Sequence, residues 1–436
     1  MKKENNQTIE ITQLSHEGRG IGHIDGKTYF VANALPGETV KFSFLKKHKK
    51  FNEVIANEII NISKHRVTPK CKHFTQCGGC QIQHMSPDYQ LHYKQNAVLE
   101  LIQHIGKTQP IEVLPPISLD TYSYRTKARL GVRYVHKKER VLVGFRELNG
   151  RYIADIECCP ILIPAVGNHL SEIASLIEQL SQKEKIPQIE VAASDNTCTL
   201  IFRHLEPFSD DDIKLLKIFG EQHEFMICLQ PGNYESIHQI YPEQSTPELQ
   251  YKIPNANLCI NFHPSDFTQV NYPVNLAMID QALYLLSPQK DDVILDLFCG
   301  LGNFTLPISQ HAGQVIGVEG DIQMVKKAEE NAAYNQRNNA KFYAANLFED
   351  CTKHSWAKQK YHKILLDPPR AGAEEICKNI NVFSASDIVY ISCNPATLAR
   401  DTHELLKNGY TLTKLGIINM FPQTAHVETI ALFTKR

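Results

Sequence analysis

The chain of 436 residues is too long for one domain of the usual ~100–200 residues, and its 42% hydrophobic and 21% charged residues suit core-forming protein rather than disorder. No apolar run approaches the ~20 residues of a membrane span, and MKKENNQTIE lacks the apolar stretch of a signal peptide. The chain is therefore expected in the cytoplasm, where its 12 cysteines stay reduced and clustered thiols point to metal or catalysis. A net charge of -1 confines any nucleic-acid surface to local patterning.

Residues 7–60 alternate apolar and polar positions over short runs (TIEITQL, KTYFVANAL, ETVKFSFL, NEVIANEIINI) separated by Gly18, Gly20, Gly22, Gly26 and Pro36-Gly37. Short alternating runs between turn residues predict a small β-barrel, with Lys46 to Lys50 at a hairpin tip. A charge run of this kind is usually a solvated loop, and RNA contact is its functional alternative. The stretch CKHFTQCGGC follows, holding Cys71, Cys77 and Cys80. From Asp88 to Gly106, Leu91, Val98, Leu99 and Ile102 recur near helical spacing. Between Tyr122 and Arg151 nine Lys and Arg stand against Glu139 and Glu147, with Tyr122, Tyr124, Tyr134 and Phe145 interleaved. Phosphates need cations and unstacked bases need aromatic faces, so this mixture fits single-stranded nucleic acid; a solvated sheet face is the alternative.

From about residue 265 short apolar strands alternate with helices (VILDLF, QVIGVEG, KFYAAN, KILLD, IVYISC), which predicts a parallel, doubly wound sheet. In VILDLFCGLGNF, Asp296 ends a strand, and Gly300 and Gly302 allow close approach of a ligand. Glu319 ends the next strand 23 residues on, where a carboxylate can accept hydrogen bonds from a ribose diol. Nicotinamide dinucleotides and S-adenosylmethionine both satisfy that spacing. CGLGNF lacks the third glycine of a dinucleotide turn, and Asp367-Pro368-Pro369-Arg370 resembles the DPP signature of methyltransferases acting on nucleobases, which favours S-adenosylmethionine.

Cys393, in YISCNPATLARD, ends the following strand at the same sheet edge as Asp296, Glu319 and Asp367, where ligands bind in open α/β sheets. The alternative is a buried structural cysteine. A nucleophile is useful where the methylated atom is itself unreactive. A thiolate adding to carbon 6 of uracil makes carbon 5 an enolate carbon able to attack a cationic methyl group. A base must then remove the proton at carbon 5; Glu428, in HVETIALF, is the candidate.

DPPRAG, SCNP, HVET and FTQVN (Phe267 to Asn271), taken in this combination, resemble the RNA uracil-C5 methyltransferase family. The barrel resembles a TRAM module, and C-x5-C-x2-C with a later Cys-Pro resembles the iron-sulfur members. Barrel and cysteines together resemble the branch acting on 23S ribosomal RNA; the tRNA branch lacks the cluster and the other ribosomal branch lacks the barrel. The resemblance implies Cys393 as nucleophile, Glu428 as base and Phe267 near the flipped nucleotide. It also implies Gln269, Phe298, Asn303, Glu319, Asn346 and Asp367 at S-adenosylmethionine. Position 346 departs from the Asp common among methyltransferases, although an amide can still bond adenine.

Three clustered thiols need a fourth ligand, and ECCP offers Cys158 and Cys159; the resemblance selects Cys159 because the family's ligand directly precedes a proline. Four thiolates fit zinc or a [4Fe-4S] cluster, and a single CxxC with an outlying Cys71 and a remote cysteine favours the cluster. The expected architecture is α/β. Residues 1–64 form an OB-like TRAM barrel and 65–265 a central α+β iron-sulfur and RNA-binding domain. Residues 266–436 form a Rossmann-like methyltransferase domain, on which the resemblance implies that 83–115 packs. A monomer acting on 23S ribosomal RNA is expected, with a cluster that braces the structure or positions RNA rather than one performing radical chemistry.

Overall fold

The computed structural model describes residues 7–148, 150–195, 197–243 and 249–435. Six strands open the chain: β1 (Thr8–Glu10), β2 (Gln13–Leu14), β3 (Gly20–Ile24), β4 (Lys27–Ala32), β5 (Thr39–Lys47) and β6 (Phe51–Ile59). They pair in the order β1-β5-β6-β4-β3-β2. The Thr12 amide, bonding the Ile21 carbonyl at 2.9 Å, draws the two ends of the sheet together. Alternate residues Ile9, Tyr29, Val31, Val40, Phe42 and Val54 fill the interior, as the two-residue period of a strand requires. Residues 48–50 form the tip of the β5–β6 hairpin.

The chain then joins the C-terminal sheet. Helix α1 (Pro87–His104) buries Val98 and Ile102 in the same core as Leu398 and Leu405, and β7 (Glu112–Val113) joins the edge of the C-terminal sheet.

The middle sheet runs β13-β12-β11-β10-β8-β9. Its strands are β8 (Lys127–Val135), β9 (Arg140–Gly144), β10 (Gln188–Ala193), β11 (Cys198–Arg203), β12 (Phe225–Gln230) and β13 (His238–Tyr241). Helices α2 (Pro164–Gly167), α3 (Leu170–Gln179) and α4 (Asp210–Gln222) belong to this region, α3 and α4 burying Ile173, Leu176, Leu216 and Phe219. A hairpin, β14 (Leu249–Ile253) and β15 (Leu258–Phe262), follows.

The C-terminal sheet has eight strands ordered β18-β17-β16-β19-β20-β22-β21-β7. They are β16 (Val293–Leu297), β17 (Gln314–Glu319), β18 (Ala340–Ala344), β19 (Lys363–Leu366), β20 (Asp387–Ser392), β21 (Thr411–Ile418) and β22 (Glu428–Thr434), with β7 at the edge. Strands β16 to β20 are parallel, while β22 is antiparallel to both its neighbours. Helices α5 (Tyr272–Leu286), α6 (Thr305–Ser309), α7 (Ile322–Tyr334), α8 (Glu374–Lys378) and α9 (Pro395–Lys407) flank it. Asn331 and Asn335 of α7 donate to the Asn261 and Cys259 carbonyls of β15 at 3.1 and 2.7 Å. The hairpin therefore packs on the catalytic side, ahead of the boundary at residue 265 read from the strand-helix alternation. No helix among the described residues is long and apolar enough to cross a membrane.

Candidate active site and cysteine cavity

Parallel strands deliver their carboxyl ends to one edge, and there the structure opens a cavity of about 1100 Å³. Gln269, Phe298, Asn303, Glu319, Asn346, Asp367, Cys393, Glu428 and Phe267 all line it. Glu319 closes β17 and is held by backbone amides: Gly300 donates to one carboxylate oxygen at 3.1 Å and Gly320 to the other at 2.7 Å. Gly300 has φ +53 and Gly302 φ +91, so the turn after β16 uses backbone that glycine adopts without strain. Phe298, at φ +66, lacks that freedom, a conformation costing about 1–3 kcal/mol that recurs at ligand sites.

Asn303 is oriented before any ligand arrives. Its Oδ1 accepts from the Tyr251 hydroxyl at 2.9 Å and from Asn275 at 3.1 Å, and its amide donates back to Asn275 at 3.0 Å. Asn346 is exposed, donating to Glu349 at 2.6 Å and accepting from the Phe348 amide at 3.2 Å. Asp296 faces away from the cavity: wholly buried, it accepts from the Thr305 hydroxyl of α6, and burial pushes its carboxyl up to about 8. The strand-end reading of Asp296 thus meets a supporting group, because its side chain falls on the face that anchors α6.

Cys393 and Glu428 are brought together by register. Ser392 at the end of β20 stands opposite Thr429 of β22, so in an antiparallel ladder Cys393 and Glu428 are the next facing pair. The Cys393 thiol is pushed up to about 11 by burial and by Glu428 and Asp367, with Arg370 opposing. Glu428 is 6% exposed and burial pushes it up to about 7. Its Oε2 is buried without a hydrogen-bond partner among the described residues. Asp367 is raised well above the carboxylate range by burial, then by Glu428 and Glu319. Glu428 and Asp367 share one low-dielectric space, which favours the protonated form of each. An orphaned carboxylate oxygen beside a thiol can take a proton from a reacting carbon that the thiol has activated.

Among the cavity residues that escaped the reading of sequence are His426 and Tyr251. His426 lines the wall two positions before Glu428, a spacing that puts both on one face of extended chain. Tyr251 reaches the cavity from the β14–β15 hairpin, for which no motif gave a signal.

The basic region behaves differently from its expectation. Tyr124 is 4% exposed and donates to the Pro422 carbonyl at 2.9 Å, so it presents no stacking face. Phe145 packs into the cysteine cavity, while Lys70 and Lys183 lie over the rings of Tyr122 and Tyr134 at 4.8 Å each. Arg129 pairs with Glu190, and Lys138 and Arg140 with Asp155. Arg133, Lys137, Arg146 and Arg151 are exposed. Aromatics in a basic segment stack only where the fold leaves a ring face open, and this hairpin uses its rings as packing.

Cys71, Cys77, Cys80 and Cys159 line a second, small cavity together with Phe145 and Cys158. Burial pushes the Cys80 thiol up to about 12, with Cys159, Cys77 and Cys71 adding to it, and pushes Cys159 up to about 11, with Cys77 and Cys71 adding to it. Backbone amides point at these sulfurs: His73 and Phe74 at Cys71, Gly79 at Cys77, and Ile161 and Leu162 at Cys159. Cys158 acts electrostatically on Cys71, but not on Cys77 or Cys80. Among the described residues the group of ligand atoms all within 4.8 Å of one another is His169, Glu172 and His223, so no three of the cysteine sulfurs are that close.

The family model described as tRNA (Uracil-5-)-methyltransferase matches residues 88–436, and that of the TRAM domain matches residues 4–42. Over 99% of its length the chain is 49% identical to the 23S rRNA (uracil(1939)-C(5))-methyltransferase RlmD of Francisella tularensis subsp. novicida, covering 98% of that protein. It is 48% identical to the RlmD of Alcanivorax borkumensis, over 99% of this chain and 97% of the other. Among solved structures, the tRNA (uracil-54, C5)-methyltransferase of Pyrococcus abyssi in complex with S-adenosyl-L-homocysteine superposes with a TM-score of 0.76. At 22% identity, with 99% of this chain and 100% of that one covered, it shares the fold.

Proposed function

The chain belongs to the RNA uracil-C5 methyltransferase family, and on that premise we propose how its residues methylate carbon 5 of a uridine in 23S ribosomal RNA. Full-length relatives bearing that activity in their names carry the assignment of the reaction and of its substrate. The observation that carries the residue assignment is the facing pair Cys393 and Glu428 in a cavity also lined by Glu319, Asn303 and Asp367. S-adenosylmethionine, when bound, supplies an electrophilic methyl group and a positive charge.

Burial, with Glu428 and Asp367 adding to it, favours the thiol form of Cys393, which must pass its proton to solvent before attack. Arg370, a cation of the wall, favours the thiolate. Thiolate addition at carbon 6 of the uracil makes carbon 5 nucleophilic, carbon 5 takes the methyl group, and Glu428 removes the remaining proton from carbon 5. The carbon–sulfur bond then breaks and the thiolate leaves. With its carboxyl near pH 7 and one oxygen unpartnered, Glu428 can hold that proton and release it. The target base must leave its stack to reach Cys393, which costs a few kcal/mol and is easiest in a loop.

Cys71, Cys77, Cys80 and Cys159 form the set that would hold a [4Fe-4S] cluster. All four line one cavity, and a single CxxC with an outlying Cys71 and a remote cysteine supports an iron-sulfur core over zinc. The amides aimed at the sulfurs support anionic thiolates, and the place of Cys159 directly before Pro160, as in the family's ligand, supports it as the fourth. A chain that acts as a monomer completes the reading.

RNA carrying 5-fluorouridine at the target tests the chemistry, since fluorine at carbon 5 cannot be removed as a proton. A methylated, covalent RNA–protein adduct is expected with the wild-type enzyme and none with Cys393→Ala. An adduct on the Ala variant overturns the assignment.

A further inference from the structure

A second cavity, of about 340 Å³, adjoins the catalytic one, and His426 lines both. Its volume lies at the lower end of the ~300–1,000 Å³ usual for ligand pockets. Four parts of the chain wall it: His16, Arg19 and Asn33 from the barrel, Phe74 and Gln81 from the cysteine loop, Leu148 from the segment after β9, and His426 from the loop leading into β22. These parts are locked together. A Cβ on Gly18 would come within 2.5 Å of Ile82 and 3.6 Å of Ala425, so the barrel loop is seated against the cysteine loop and the loop leading into β22. The Tyr93 hydroxyl of α1 donates to the Ser15 carbonyl at 2.8 Å, and the amides of Gln81 and Ile82 donate to the Gln423 carbonyl at 3.0 and 3.2 Å. Asn33 is held at φ +58 by Arg66, which donates to its side-chain oxygen at 3.2 Å and its carbonyl at 2.9 Å.

The wall combines what one unstacked nucleotide needs. Side-chain amides read base edges and an aromatic ring offers a stacking face. Asn33 Oδ1 accepts from Arg66 and the Gln81 amide donates to the Gly78 carbonyl, which leaves the Asn33 NH2 and the Gln81 oxygen to face a base, while Arg19 is paired with Glu17 and Glu53. Through His426 this cavity borders directly on the one that holds Cys393. We propose that it receives the base of a nucleotide flanking the target uridine, held by Asn33, Gln81 and Phe74. The inference rests on the RNA-methyltransferase reading and gives it a specificity pocket. It also gives the cysteine loop a task, because Phe74 and Cys80 line both this cavity and the one formed by the cysteines. Whatever holds the four sulfurs fixes a wall against which the RNA is read.

The test uses the intact holoenzyme and a stem-loop of 23S ribosomal RNA containing the target. Dissociation constants are measured by fluorescence anisotropy for the parent RNA and for derivatives with one abasic site at each flanking position. One flanking abasic site is expected to weaken wild-type binding about 10-fold, and that same penalty is expected to shrink below about 3-fold in Gln81→Ala. Asn33→Gly, whose glycine tolerates the left-handed backbone, gives the same reading from the barrel side. Penalties that simply multiply in both variants, or no penalty at any flanking position, overturn the proposal. Adducts with 5-fluorouridine RNA are followed in parallel. Wild-type adduct without coupling removes the pocket alone, whereas no adduct on any 23S stem-loop removes the functional reading and the pocket with it.

Discussion

The catalytic cavity takes its walls from strand ends, while the cysteine cavity takes its walls from turns. Cys393, Glu428, Glu319 and Asp367 each sit at or one residue beyond the end of a strand in one sheet. Residues 71–80 hold their shape through isolated bridges, such as Phe74 with Cys77 and Cys77 with Glu147. A ladder of backbone hydrogen bonds fixes side chains without help from a ligand, whereas a loop of three thiols depends on what it binds. The first cavity should therefore lose chemistry without losing structure when a key side chain is cut back, and the second should do the reverse.

Cys393→Ala is the sharpest way to break that contrast. Turnover should fall by about 10⁴-fold or more, while S-adenosylmethionine affinity and the thermal midpoint stay close to wild type. A large loss of stability in this variant would show that the catalytic cavity is not independently built.

Glu428→Gln should lower turnover by about 10²–10⁴-fold and trap methylated RNA on Cys393, visible as a slow-migrating band in a denaturing gel. Wild-type single-turnover rates should fall as pH drops through about 7, because the base must be ionised. Stability runs the other way. Between its ordinary 4.5 and about 7 the folded carboxyl keeps a proton that the unfolded chain releases, so this group lowers stability as pH rises through that window. The Gln variant should thus gain on wild type from pH 5 to pH 8, by about 3 kcal/mol at most, in paired denaturation curves.

Cys80→Ser should release the metal and lower the thermal midpoint by about 10 °C. Absorbance and iron content follow the first effect, calorimetry the second. Affinity for S-adenosylmethionine should change less than about 2-fold, as no residue lines both the catalytic and the cysteine cavities.

The division between strands and turns also explains what the sequence made legible. Alternating strands and helices carry the parallel part of the sheet, and the motifs DPPR, SCNP and HVET mark its carboxyl edge. The facing of Cys393 and Glu428 was invisible, because it depends on β22 inserting antiparallel between β20 and β21. No spacing reveals an inserted strand. The packing of α1 and β7 on the catalytic side was expected from the resemblance alone, because their partners lie about 300 residues later in the chain and no local pattern reveals them. Tyr124 read as an RNA-stacking residue until its hydroxyl met the carbonyl of Pro422.

The smallest expected effect concerns the hairpin that lies outside the catalytic segment read from sequence. Tyr251 of β14 gives Asn303 one of the two hydrogen bonds accepted by its Oδ1, the other coming from Asn275. Tyr251→Phe removes a hydroxyl without opening a hole, and Asn303 keeps its reciprocal pair with Asn275. The loss is one neutral hydrogen bond, about 1 kcal/mol or roughly 5-fold. It should appear as a raised KM for S-adenosylmethionine at unchanged kcat, with the KM for RNA unmoved. A rise confined to the RNA KM would place Asn303 on the substrate side of the cavity, and the hairpin would then belong to RNA recognition rather than to the cofactor wall.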